Sequence, residues 1–210
     1  AATTNNSATN GGFLQLDNVS LSHGPDASDL RTLCEDPTSP PHTPGAPASA
    51  SLVTNGDFSG GMTGWVTLFT ITNQVSNGVF EFIRTAGLPG GVVFQQTGAA
   101  VAAGEFLTAT FDLGNSSSVR KRVTVLVHAS DFADLAACTF WLPPGLPLST
   151  YQMKMRATTP WPAGAATGAT LSFYGATVGL DRWIRLDNVS LRRSPGAAIV
   201  GTECLEPGEI

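Results

Sequence analysis

The sequence predicts an all-β chain: an antiparallel two-sheet β-sandwich entered through an N-terminal strand overhang and a Pro-rich linker. Three observations predict it. Apolar and polar residues alternate with period two through much of residues 52–193, as strands with one face on a core require. Gly, Pro, Asn and Ser separate those runs, where turns are needed. No segment carries a 3.6-residue apolar period long enough for a helix. About eight strands fit this region.

The chain opens on the polar run AATTNNSATN, followed by FLQLDNVSLSHG from Phe13. The same strand returns as WIRLDNVSLRRS from Trp183, 170 positions later. In that register Pro25 falls on Pro195, Ala27 on Ala197, Thr32 on Thr202, Cys34 on Cys204 and Pro37 on Pro207. Such a run of matches behind the shared LDNVSL indicates duplication. Residues 1–34 thus read as the last strand and tail of a neighbouring repeat. Phe13, Leu14, Leu16, Val19 and Leu21 form an expected assembly strand with apolar side chains to bury and no sheet of its own, a hazard if left free.

Residues 35–51, EDPTSPPHTPGAPASAS, hold five prolines and read as a semi-rigid linker in extended polyproline geometry. The domain proper spans 52–193. In FLTATFDL, Leu107, Ala109, Phe111 and Leu113 share one face; in RVTVLVHA, Val123, Val125, Val127 and Ala129 do. YQMKMRA places Tyr151, Met153 and Met155 against Gln152, Lys154 and Arg156, and ATLSFYG is similar. Residues 194–210 read as a C-terminal tail or junction.

LVTNGDFSGGMTGW, from Leu52 to Trp65, resembles the opening strand and turn of jelly-roll carbohydrate-binding modules of the family 4, 9 and 22 type. Leu186-Asp187-Asn188-Val189-Ser190-Leu191 resembles their closing strand, so the likeness spans about 140 residues and is anchored at the two ends. The resemblance implies a jelly roll whose first and last strands are adjacent. It also implies a structural calcium ion where they meet, with Asn55, Asp57 and Asp187 as candidate ligands, although Ser59 stands where the family commonly has Glu. A hard cation needs six to eight oxygens, and Asn55-Gly56-Asp57 reads equally as a turn with Asp57 capping backbone N–H groups. For sugar stacking the candidate platforms are Trp141, Tyr151, Trp161 and Tyr174. Trp161, in the loop TTPWPAG, is the ring expected to be exposed, whereas aromatics in a sandwich are commonly core.

Composition narrows the function. Charged residues are 13% of the chain and the net charge is −5, against roughly 25% charged residues in an average domain. Only Arg120-Lys121-Arg122 and Arg192-Arg193 cluster cations, too little for a nucleic-acid partner. No apolar run approaches the roughly 18 residues of a membrane span. The polar N-terminus is unlike a signal peptide, so the chain reads as a mature form or an excerpt of an extracellular or cell-surface protein. Three histidines (His23, His42, His128) build no catalytic triad or metal pair, and Glu81, Glu105 and Asp112 read as solvated strand positions rather than a glycosidase pair. No enzyme is expected.

Counting cysteines supports the duplication. Cys34 and Cys204 are one repeat apart and Cys138 lies mid-domain, so Cys138 is expected to pair with Cys34 or Cys204, from its own or a neighbouring copy. The first functional expectation is therefore a structural module that builds a filament or tandem fibre by exchanging its N-terminal strand with other copies of itself. The alternative is a carbohydrate-binding module of a secreted polysaccharide-degrading enzyme, with a polysaccharide as partner.

Overall fold

The computed structural model describes residues 3–5, 13–15, 47–48, 50–87, 90–164, 167–179, 181–199 and 201–210. Two compact units divide the chain, Ala1–Ser39 and Pro40–Ile210. In the first, β1 (Thr3–Asn5) pairs antiparallel with β2 (Phe13–Gln15), Thr4 lying opposite Leu14. The expected assembly strand thus has a backbone partner within its own segment at Phe13 and Leu14. Leu16, Val19, Leu21 and Cys34 lie outside the described residues.

The second unit is a jelly-roll sandwich of two antiparallel sheets. Its strands are β3 (Val66–Leu68), β4 (Ile71–Ser76), β5 (Val79–Arg84), β6 (Gly91–Gln96), β7 (Phe106–Asn115), β8 (Lys121–Ala129), β9 (Leu135–Leu142), β10 (Ser149–Arg156), β11 (Ala169–Gly175), β12 (Ile184–Arg193) and β13 (Thr202–Leu205). Six form one sheet in the order β13-β10-β7-β12-β5-β4, and five form the other in the order β3-β6-β11-β8-β9. The region expected to hold about eight strands holds ten, and the expected tail supplies an eleventh, β13, hydrogen-bonded to β10.

The alternation read from the sequence is what the core uses. Leu107, Ala109, Phe111 and Leu113 of β7 face Val123, Val125 and Val127 of β8 across the sandwich, all fully buried. Phe111 meets Phe173 edge-on at 5.2 Å and Phe140 at 5.8 Å, an arrangement that aromatic quadrupoles favour. In β12 the parity changes part-way. Asp187 lies opposite Asp112 but Ser190 lies opposite Thr110, and Asn188 sits at φ +49°. This bulge moves the buried set from Ile184 and Leu186 to Val189 and Leu191, since one inserted residue flips every later side chain.

The first leg of the domain is adjacent to the last strand, as expected, though not as a regular strand. Ala48 and Leu52 N–H groups donate to the Arg193 and Leu191 carbonyls, and Val189 N–H donates to the Gly56 carbonyl. Gly56 makes that approach possible, for a Cβ there would lie 1.8 Å from the Val189 oxygen. The β4–β5 hairpin turns on Asn77 (φ +52°) and Gly78 (φ +79°), the two-residue geometry for which Asn-Gly is the preferred pair.

Cys138 of β9 is bonded to Cys204 of β13, with Cα atoms 5.6 Å apart. The bridge ties the outermost strand of one sheet to the outermost strand of the other, closing one side of the sandwich. Of the two partners the sequence allowed, Cys204 is the one used.

Candidate functional site

Strand register determines which side chains share the outer face of the five-stranded sheet. Tyr174 of β11 lies between Val92 of β6 and Thr124 of β8, and Thr124 lies opposite Thr139 of β9. One row along, Phe94, Ser172, Leu126 and Ala137 stand side by side, with Val66 of β3 beyond Phe94. The next row runs Gln96, Thr170, His128, Leu135. At the opposite end Arg122 of β8 pairs with Trp141 of β9.

This face is apolar where water should make it polar. Val66, Leu68, Leu135 and Trp141 are exposed on it, with Phe132 exposed beside His128. Val66 and Leu68 lie on one edge strand and Leu135 and Trp141 on the other, with half-buried Phe94, Leu126 and Tyr174 between them. Polar groups are interleaved: Thr124 and Thr139 hydroxyls hydrogen-bond at 3.0 Å, and His128 Nε2 lies 2.9 Å from Ser172 Oγ. His128 Nδ1 is 2.6 Å from the Ala129 carbonyl, which assigns the proton to Nδ1. Burial lowers the affinity of His128 for a second proton, and the Ala129 carbonyl and Asp131 charge offset that only in part. Phe132 stacks on the imidazole with centroids 4.1 Å apart.

The outer face of the six-stranded sheet contrasts with it. Arg185 pairs with Glu81 at 3.5 Å, and Gln74 donates to the same carboxylate. Lys154 pairs with Glu203 at 3.9 Å, and Thr150 donates to Asp112 at 2.7 Å.

Of the four candidate platforms, the structure brings two to the apolar face. Trp141 is 36% exposed there, and Tyr174 is half-buried in its centre. The other two are corrected. Tyr151 is 3% exposed and packs in the core, its ring 5.0 Å from Phe140; its phenol is pushed up to about 12 by burial and then by the Glu206 charge. Trp161, expected in an exposed loop, is 1% exposed. Its backbone bridges to Val101 and its indole N–H donates to Asp134 Oδ2 at 2.9 Å.

That buried carboxylate, missed in the sequence, also accepts the Thr158 and Thr159 N–H groups. Burial alone would raise the Asp134 pKa, but these hydrogen bonds outweigh it and hold the carboxyl below its ordinary value.

The candidate calcium ligands are each engaged in hydrogen bonds of their own. Asn55 Nδ2 donates to the Gly61 and Thr63 carbonyls while its Oδ1 accepts Gly60 N–H. Asp57 Oδ1 accepts the Ser59 N–H and hydroxyl. Asp187 accepts Asn188 N–H at 2.7 Å; burial first, then the Asp112 and Asp57 charges, raises its pKa. Among the described residues no three His, Cys, Asp or Glu side chains are placed to hold a metal ion. The turn reading of Asn55-Gly56-Asp57 is the one that the hydrogen bonds fit.

No protein-family model and no curated protein sequence matches the chain. Solved structures do. A CBM4 structure aligns over 65% of this chain and 99% of its own, at 20% identity and TM-score 0.53. The N-terminal cellulose-binding domain of Cellulomonas fimi β-1,4-glucanase C aligns over 70% and 98%, at 21% identity and TM-score 0.50. An arabinose-bound MgGH51 α-L-arabinofuranosidase aligns over 69% of this chain but 26% of its own, at 17% identity and TM-score 0.55. The likeness is one of fold. The Pro40–Ile210 unit has the jelly roll of carbohydrate-binding modules, as the ends of the sequence implied. No helix among the described residues is long and apolar enough to cross a membrane.

Proposed function

We propose that the Pro40–Ile210 unit is a non-enzymatic, extracellular carbohydrate-binding module that holds a polysaccharide on the outer face of its five-stranded sheet. The observation that carries this reading is the concentration of exposed Val66, Leu68, Leu135 and Trp141, with Tyr174, on that one face, in a fold shared with carbohydrate-binding modules. Sugar rings present apolar C–H faces that stack on aromatic side chains, while hydroxyls take hydrogen bonds from groups such as Thr124 and Thr139. The three carboxylates weighed as a glycosidase pair each have partners within the domain. Glu81 is held by Arg185 and Gln74, Glu105 by Arg193, and Asp112 by Thr150 and Asn188. The Cys138–Cys204 bond supports an oxidising location.

Affinity electrophoresis against a panel of soluble plant, algal and microbial polysaccharides tests it. The unit should be retarded by at least one, and Trp141→Ala or Tyr174→Ala should weaken that retardation about tenfold, the loss of roughly 1.4 kcal/mol. Unaltered retardation in both variants would place binding elsewhere.

A second reading, assembly with other copies, rests on the 170-residue register. The counterparts of Leu16, Val19 and Leu21 are Leu186, Val189 and Leu191, all buried, and the counterpart of Cys34 is the bonded Cys204. Residues 13–34 would then complete a jelly roll supplied by another repeat through strand addition. Sedimentation of the full chain against one lacking residues 1–39 tests this. Equal sedimentation as monomers would refute it.

A further inference from the structure

We propose that the polysaccharide is acidic: the Arg120–Trp141–Arg122 cluster at one end of the apolar face binds the carboxylates of a uronic-acid polymer. This inference rests on the carbohydrate-binding reading and gives it a ligand class.

The geometry begins at the β8–β9 pair. Arg122 lies directly across from Trp141, and its guanidinium carbon is 5.4 Å from the indole centroid. The Arg120 guanidinium lies over the same ring at 4.1 Å. A guanidinium stacked on an aromatic plane spends its π surface there and keeps its in-plane N–H fork free. That fork matches the two oxygens of a carboxylate. The ring also restrains two long side chains before any ligand arrives, which lowers the entropy lost on binding.

The second observation is that these two cations are unspent. Lys121, between them, points inward to Asp181 at 2.9 Å. Lys154 pairs with Glu203, Arg185 with Glu81 and Arg193 with Glu105, while Arg84, Arg156 and Arg192, which lie away from Trp141, also have no carboxylate partner among the described residues. Among the described residues no carboxylate pairs with Arg120 or Arg122. In a chain of net charge −5 such a cationic end is local, so it selects a polymer whose charges are spaced along a neutral, stackable backbone rather than any polyanion. The same face of β9 continues from Trp141 through Thr139 and Ala137 to Leu135, about 20 Å of strand, along which sugar rings can lie while acidic groups meet the arginines. The Asp181 charge is already compensated by Lys121.

The experiment compares polygalacturonate, alginate and polyglucuronate with their carboxyl-reduced neutral counterparts and with dextran sulfate, by calorimetry and affinity electrophoresis. The probes are the wild-type chain and the double variant R120Q/R122Q, whose positions are exposed and whose thermal midpoint should match wild type. At least one uronate polymer should bind, its carboxyl-reduced form at least about tenfold more weakly. The double variant should lose that preference, and binding should weaken as salt shortens the screening length. Equal binding of the reduced form overturns this inference and leaves the carbohydrate-binding reading standing. Binding of dextran sulfate as tight as the uronate overturns the carboxylate assignment. No binding to any polymer, neutral ones included, overturns both.

Discussion

Removing the Cys138–Cys204 bond should loosen one side of the sandwich before it unfolds the whole. The bond closes a separation of 66 residues, and for a loop of that size the chain-entropy treatment gives about 4 kcal/mol of denatured-state freedom removed. Cys204→Ala is the cleaner perturbation, because Cys204 is exposed while Cys138 is buried. A buried thiol left behind behaves as a small hydrophobe. Strand β13 has four residues and pairs with β10 alone, so the cross-link is its main tether. We expect a stability loss of about 2–4 kcal/mol. With a urea slope of about 2 kcal/mol/M, the midpoint should fall by about 1–2 M. Tryptophan fluorescence in urea reads the global change, with reduced wild type expected to behave like the variant. Amide exchange reads the local one, and Thr202–Leu205 should lose protection in the variant under conditions where β7 and β8 keep theirs. A midpoint within about 0.3 M of oxidised wild type would refute the tether argument.

Acid should destabilise the unit in two steps. His128 has a lowered folded pKa, so its contribution is full above its unfolded value near 6.5 and declines as pH falls below it, levelling off below the folded pKa. Asp134 has a lowered folded pKa, so its contribution persists above about 3.8 and is lost as pH falls through the folded value; urea midpoints of His128→Gln and Asp134→Asn across pH 3–8 should each lack one step. Gly56→Ala should cost more than about 2 kcal/mol, because its Cβ would strike a strand carbonyl rather than a movable side chain; a thermal midpoint unchanged from wild type would contradict the close approach. Lys121 is buried and Asp181 is half-exposed, so Asp181→Asn, which strands the buried charge, should destabilise more than Lys121→Met. Denaturation of the two single variants gives the order.

The faces of β7, β8 and β10 were legible because each strand alternates without interruption. Phe111, Val125 and Met153 are buried as their parity required. The parity change in β12 was not, since the bulge arises from Asn188 adopting a left-handed backbone within a run that reads as continuous. The hairpin at Asn77-Gly78 carried a local signal that could have been used. For Trp161 there was none. Its neighbours are Pro160 and Pro162, which mark a loop, but the indole is drawn inward by Asp134, 27 residues earlier. Arg120 and Arg122 were read only as too few cations for nucleic acid, because their stacking on Trp141 depends on β8 and β9 being partners in register. The cysteines show the same limit. Counting reduced the pairing to two choices, and deciding between them required β13 to lie beside β9.

The two sheets share one core but divide the surface chemistry unequally. On the six-stranded side, Asp187 faces the like charge of Asp112, but Arg185 meets Glu81 and Lys154 meets Glu203 across the ladder, and Thr108 closes on Ser194 at 2.6 Å. Interactions of that kind are satisfied within the domain, so a ligand arriving there must first break them. On the five-stranded side rings, aliphatic side chains and two arginines are interleaved with hydroxyls and His128 that hydrogen-bond one another, and no ion pair is formed there among the described residues. Covering that face releases water from apolar surface at roughly 25 cal/mol per Å² and breaks no internal ion pair. The lower cost of desolvation, more than the presence of any single aromatic residue, is the physical reason that the proposed binding reading uses the five-stranded sheet.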